Sequence, residues 1–235
     1  MGQKKLQRFA EIKTFSNVLE YPVHMPGKWA SFFGNEHTIT LELACGKGEY
    51  AVGLGKLYPA RNFIGVDIKG NRLWVGAKEA LNQELKNVAF VRSQIDKVDQ
   101  YFEKDEVSEI WITFPDPQLR VSKARKRLTH PHFLRLYKRF LKQHGTIHLK
   151  TDSPDLYNFT RTVIELYGLK LKIAIEDIYD LRQRPAELEI KTYYESLDIA
   201  RSNRVHYLQF ELSGDLRAEK DQQLKEMIIE QEATR

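Results

Sequence analysis

Apolar and polar positions along this chain fall into two alternating rhythms, one of period two and one of period 3.6. Residues 38–44 alternate and then turn apolar before Gly46 and Gly48, which predicts a buried strand and a tight turn. Residues 49–58 place Val52, Leu54, Leu57 and Tyr58 on one helical face, which Pro59 ends. Strands are predicted over 62–67, 88–92, 109–114 and 146–150, and helices over 69–85, 131–141 and 154–167. Residues 169–178 and 205–212 read as an antiparallel pair at a sheet edge, and 215–231 as a charged tail helix. Strands and helices that alternate with short links predict a doubly wound α/β sheet, mostly parallel, with ligands beyond the carboxyl ends of the strands.

The first 36 residues lack clean periodicity and contain Tyr21-Pro22 and Met25-Pro26-Gly27, so an extended arm or irregular cap is expected there. The expected organisation is an arm over 1–36, a catalytic domain over 37–213 and a tail over 214–235. A chain of 235 residues with 42% hydrophobic positions buries a core without staples. The single cysteine, Cys45, excludes an internal disulfide framework and fits a reducing compartment. With no long apolar run and no apolar leader, the cytoplasm is the expected location and no membrane contact is expected.

Charge is unevenly spread. Ten Lys or Arg residues and no acid lie between Pro117 and Thr151, whereas the whole chain has 37 basic and 32 acidic residues. The other 200 residues therefore carry 27 basic against 32 acidic, so the excess sits in one window. That window is either a solvated surface or a footprint for a polyanion. Within it, Arg125 and Arg127 are candidate phosphate contacts, and Arg135, Lys138, Arg139 and Lys142 are spaced to form one helical stripe. The seven histidines lack cysteine partners, and no acid lies among those of the basic window, so no metal is expected.

The turn after the first predicted strand, Glu42-Leu-Ala-Cys-Gly46-Lys-Gly48, lets backbone approach a ligand closely. Asp67, 19 residues beyond Gly48, ends the next strand, where a carboxylate can hold two ribose hydroxyls. That arrangement serves NAD or the adenosyl half of S-adenosylmethionine equally. Glu42 beside the loop favours the methyl donor, since its charge suits an ammonium and would repel a pyrophosphate. The later strand that runs into Phe114-Pro115-Asp116-Pro117 favours it too, because it sets a rigid acid at the edge where chemistry is expected.

Phe-Pro-Asp-Pro, a basic run, Arg127-Leu128-Thr129, His132-Phe133-Leu134 and His148-Leu-Lys-Thr151-Asp152 together resemble the bacterial tRNA (guanine-N7-)-methyltransferases. The likeness runs from about Thr40 to Leu212 and includes Ile64-Gly65-Val66-Asp67 and Thr192-Tyr193-Tyr194-Glu195. It implies a Rossmann-like, S-adenosylmethionine-dependent fold that methylates guanine N7 in the tRNA variable loop, at position 46, in a monomer or homodimer. It also implies that Glu42, Gly46, Gly48, Asp67 and Gln94 surround the donor and that Asp116 is the catalytic acid. Arg120, Asp152 and Thr192, Tyr193, Tyr194 and Glu195 would contact RNA or its guanine. The chain departs from the family pattern at Ala44, where glycine is usual, at Gln94, where an acid is usual, and at Gln118, where tryptophan is frequent. An NAD-dependent oxidoreductase and an inactive RNA-binding module are the alternatives.

Overall fold

A computed structural model describes residues 2–197 and 204–233. Its strands are β1 (Val18–Glu20), β2 (Ile39–Leu43), β3 (Asn62–Asp67), β4 (Val88–Arg92), β5 (Val107–Thr113), β6 (Leu141–Thr151), β7 (Lys170–Ile175) and β8 (His206–Glu211). They form one sheet in the order β1-β4-β3-β2-β5-β6-β8-β7. The pairs from β1 to β6 are parallel, and β8 runs antiparallel to both β6 and β7. The expected doubly wound sheet with an antiparallel edge is the observed one.

Period-two alternation divides the sheet into two cores. Leu41, Leu43, Ile64, Val66, Ile110, Ile112, Ile147 and Leu149 face one layer. That layer holds α2 (Trp29–Phe33), α5 (Pro131–Tyr137), α6 (Pro154–Leu166) and α9 (Lys220–Ala233). Phe63, Phe90, Trp111 and Tyr207 face the other, under α3 (Glu49–Leu57), α4 (Gly70–Asn82) and the short α7 (Ala186–Glu189). Because both faces are covered, β2 and β3 are buried at every position, as parallel inner strands are. Helix α6 begins where Ser153 Oγ accepts from Leu156 N at 3.3 Å, with Pro154 at the first helical position.

Three expectations are corrected. Residues 2–36 are neither an extended arm nor irregular throughout. They form α1 (Gly2–Glu11), α2 and β1, and β1 extends the sheet beyond β4. Helix α1 lies on α4, where Glu11 accepts from Trp74 Nε1 at 3.0 Å and Lys78 Nζ at 2.8 Å. Trp29 is fully buried, stacks on Phe102 at 5.3 Å and donates to Tyr101 O at 2.8 Å. These contacts join residues distant in sequence, so no local period announces them.

The helix predicted over 131–141 stops at Tyr137, and β6 starts early, at Leu141, because Phe140 and Leu141 are drawn into the core. The basic stripe therefore does not form. Arg135 makes a two-pronged ion pair with Asp221 of α9, Arg139 pairs with Asp99 at 2.7 Å, and Lys138 Nζ donates to Gly214 O at 2.6 Å.

Trp29→Ala is expected to destabilise the protein by about 3–5 kcal/mol, the usual cost of emptying a buried aromatic site. Urea unfolding measures it; a loss below 1 kcal/mol (about the scale of a surface change) would detach residues 1–36 from the core.

Candidate active site

Parallel strands end on one edge, and β2, between β3 and β5, is where the strand order reverses, which is where open α/β sheets bind ligands. After β2 the chain turns through Ala44, Gly46 and Gly48 at φ 55, 58 and 74°. A Cβ on Gly48 would lie 2.4 Å from Phe90 Cε1, so only glycine fits. A Cβ on Gly46 would meet nothing closer than Tyr194 Cε2 at 3.9 Å, which leaves a shallow open cradle. Ala44, one of the three departures from the family pattern, carries the left-handed conformation with a side chain.

Two acids brace this turn. Asp67 Oδ2 accepts from Gly46 N at 3.0 Å and Oδ1 from Lys69 N at 2.7 Å; each oxygen keeps a further lone pair for a ligand. Glu42 is 2% exposed, and its oxygens accept from Ala51 N in the first turn of α3 (2.8 Å) and Thr113 Oγ1 of β5 (3.1 Å). Burial pushes its carboxyl up to about 8, the nearby Glu49 and Asp67 add to the rise, and the two hydrogen bonds oppose it. Gln94 lies exposed two residues after β4, just before the 3₁₀ turn Ile95–Tyr101.

Thr113 also sets where the next loop begins. Beyond it, Asp116 is exposed and Oδ1 accepts from Gln118 N at 3.0 Å, an Asx turn flanked by left-handed Phe114 and Gln118, φ 46 and 48°. Arg120 follows, exposed, and the 3₁₀ turn Val121–Lys126 carries Lys123, Arg125 and Lys126, also exposed. Among the described residues these four form no ion pair. Arg127 does not join them, as it is 6% exposed with its guanidinium turned inward. Asp152 sits half-buried where β6 passes into α6.

The Thr192–Glu195 segment starts helix α8 (Tyr193–Leu197) with a reciprocal cap. Glu195 N donates to Thr192 Oγ1 at 3.1 Å, and Thr192 N to Glu195 Oε2 at 3.4 Å. The two tyrosines cover the glycine turn. Lys47 Nζ lies 3.2 Å from the Tyr193 ring centre, and Tyr193 N donates to Glu49 Oε1 at 3.2 Å. Glu195 faces away from solvent. Oε2 accepts from Lys150 Nζ at 2.9 Å and Oε1 from Tyr179 OH at 2.7 Å. Lys150, fully buried at the end of β6, also donates to Leu188 O and Ile190 O. Sequence reasoning missed Thr113 and Lys150; the available signal for Lys150 was a lysine at an inward position of an otherwise buried strand end.

The edge therefore gathers Glu42, Gly46, Gly48, Asp67, Asp116 and the tyrosines of α8. Among the described residues no group of three His, Cys, Asp or Glu is placed to hold a metal, and no helix is long and apolar enough to cross a membrane.

The fold is that of the S-adenosylmethionine-dependent methyltransferases. The 16S rRNA methyltransferase KamB superposes with TM-score 0.60 at 14% identity, over 80% of this chain and 93% of that one. A SAM-dependent methyltransferase from Aquifex aeolicus gives 0.52 at 15%, over 87% and 98%. A family model described as putative methyltransferase matches residues 36–208. The tRNA (guanine-N(7)-)-methyltransferase of Bacteroides thetaiotaomicron is 47% identical over 90% of this chain and 87% of its own length. That of Lactococcus lactis is 31% identical over 76% and 82%. The chain belongs to the tRNA (guanine-N7-)-methyltransferase family.

Folded Glu42 keeps its proton up to about pH 8, whereas unfolding returns it to the ordinary carboxylate range. The native state thus binds more protons between those limits, and this group makes stability fall as pH rises through that window. Glu42→Gln is expected to flatten the decline in denaturation midpoint between pH 5 and pH 8 in ligand-free protein (the window between about 4.3 and the raised value). Parallel profiles for the two proteins would contradict the raised proton affinity of this buried carboxyl.

Proposed function

We propose that this protein transfers the methyl group of S-adenosylmethionine to N7 of a guanine in the tRNA variable loop, at position 46, leaving 7-methylguanosine. The observation that carries this reading is the position of Asp116. It stands three residues beyond Thr113, which is hydrogen-bonded to Glu42 of the pocket, and just before four exposed cations that form no ion pair among the described residues.

The pocket fits the donor. Glu49 and Asp67 lie beside the glycine turn and favour a positively charged ligand, and a cation bound there would draw Glu42 towards its charged form. We assign Glu42 to the ammonium end, Asp67 to the ribose, the backbone of Gly46 and Gly48 to close approach, and Gln94 to the adenine side. When bound, the donor supplies an electrophilic methyl on a sulfonium. Guanine N7 already offers an in-plane lone pair, so no residue has to remove a proton first. What the chain contributes is placement of the base and compensation of its growing positive charge. Asp116 can accept from the ring N1–H and the 2-amino group while its charge opposes the cation. Arg120, Lys123, Arg125 and Lys126 lead the phosphate backbone past it. Asp152, Thr192, Tyr193 and Tyr194 are proposed to bound the guanine. Glu195 serves that segment from beneath, through Lys150 and the cap.

Incubation with unmodified tRNA and the methyl donor, followed by nucleoside analysis, is expected to yield 7-methylguanosine. Asp116→Ala should lower kcat by about 100-fold or more, the scale for losing one electrostatic contact to the transition state, with donor affinity kept. A variant that turns over normally would remove Asp116 from this role.

Arg120→Ala with Arg125→Ala should reduce the slope of log affinity against log salt by about 0.7–0.9 per lost phosphate contact. An unaltered slope would leave the run a solvated surface.

A further inference from the structure

Arg127 belongs by sequence to the basic run, yet its side chain is buried. Its Nε donates to Pro117 O at 3.2 Å and Gln118 O at 3.3 Å, and its Nη2 to Gln118 O at 3.2 Å and Leu119 O at 3.3 Å. Three successive carbonyls thus converge on one guanidinium. Its Cζ lies 4.4 Å from the ring centre of Phe159, which is itself buried on α6.

We propose that Arg127 is the positioning residue of the Asp116 loop, a role that rests on the function proposed above. The loop cannot hold itself. Pro115 and Pro117 supply no amide donors, and Phe114 and Gln118 both adopt left-handed backbone without glycine. Such a segment persists only where its surroundings over-determine it. The decisive unit is the peptide plane between Pro117 and Gln118. Its carbonyl is held by Arg127 Nε, and its N–H is the donor that fixes Asp116 Oδ1 at 3.0 Å. Turning that plane would withdraw the bond that Asp116 Oδ1 accepts from Gln118 N. Through Phe159 the guanidinium ties this plane to α6, so the acid is referenced to the scaffold rather than to a free loop. A planar fork of donors is what reaches several carbonyls at once; a lysine ammonium cannot reproduce it.

The experiment compares wild type, Arg127→Lys, Arg127→Met and Arg127→Ala on unmodified tRNA. It reads kcat and KM separately, with tRNA and donor affinities, thermal midpoint and amide exchange over residues 114–120. Arg127→Met is expected to lose about 100-fold in kcat, the scale of a misplacement near 1 Å, with both affinities unchanged and exchange over 114–120 faster. Millimolar methylguanidine should restore part of kcat in Arg127→Ala. A fall in tRNA affinity with kcat kept would make Arg127 a phosphate contact and overturn the proposal, as would wild-type kcat. Should Arg127→Met fail to fold, Arg127→Lys carries the test: reduced kcat at an unchanged midpoint supports the role, and full activity overturns it. If wild type makes no 7-methylguanosine, the functional reading fails by itself. The clamp is then judged by amide exchange, where unchanged protection in the variants overturns it.

Discussion

A carboxylate shut away from water at the end of the central strand is the constraint around which this molecule is arranged. Leaving a buried charge unpaired is expensive, and a protein answers either by neutralising it or by surrounding it with donors. Glu42 shows both responses. It is held by an amide of α3 and a hydroxyl of β5, and its proton affinity is raised. Those two bonds fix α3 and β5 against β2, so the glycine turn and the start of the Asp116 loop share one reference point. The acids nearby add negative potential, so the pocket gains most from a cation. A pyrophosphate would meet that potential with the wrong sign.

Basic residues play two separate parts. Arg120, Lys123, Arg125 and Lys126 project into solvent after Asp116. Arg127 and Lys150, from the same window of sequence, are buried and satisfy backbone carbonyls. Each lies beneath a segment that has little regular structure of its own, Arg127 beneath the loop after β5 and Lys150 beneath the approach to α8. A buried cation with several carbonyl acceptors gives such a segment a rigid attachment that surface ion pairs do not provide.

The α8 segment connects the two halves of the site. Its cap glutamate is anchored to β6 through Lys150, while Tyr193 and Tyr194 lie over the glycine turn and Arg72 of α4. The end of β6 is therefore joined to the glycine turn through one short helix.

Much of the fold was legible because inner parallel strands must be apolar and amphipathic helices must repeat every 3.6 residues. The strands 62–67 and 88–92 were read to the residue for that reason. Glu42, Gly46, Gly48, Asp67 and Asp116 stood out because each occupies the residue or turn where a strand ends, and parallel strands end on one edge. The first 36 residues were not legible, since Trp29 and Glu11 find their partners on Phe102, Trp74 and Lys78, far along the chain. Nor was the direction of any cation in the basic run. Local sequence sets how many charges a segment carries and how its backbone repeats; whether Arg127 meets solvent or Pro117 depends on which distant surface closes over it. The sequence by itself determined the sheet, the edge that carries the glycine turn and the position of the acid. Tertiary packing decided which charged groups were left in water, because burial is a property of neighbours that only folding brings together.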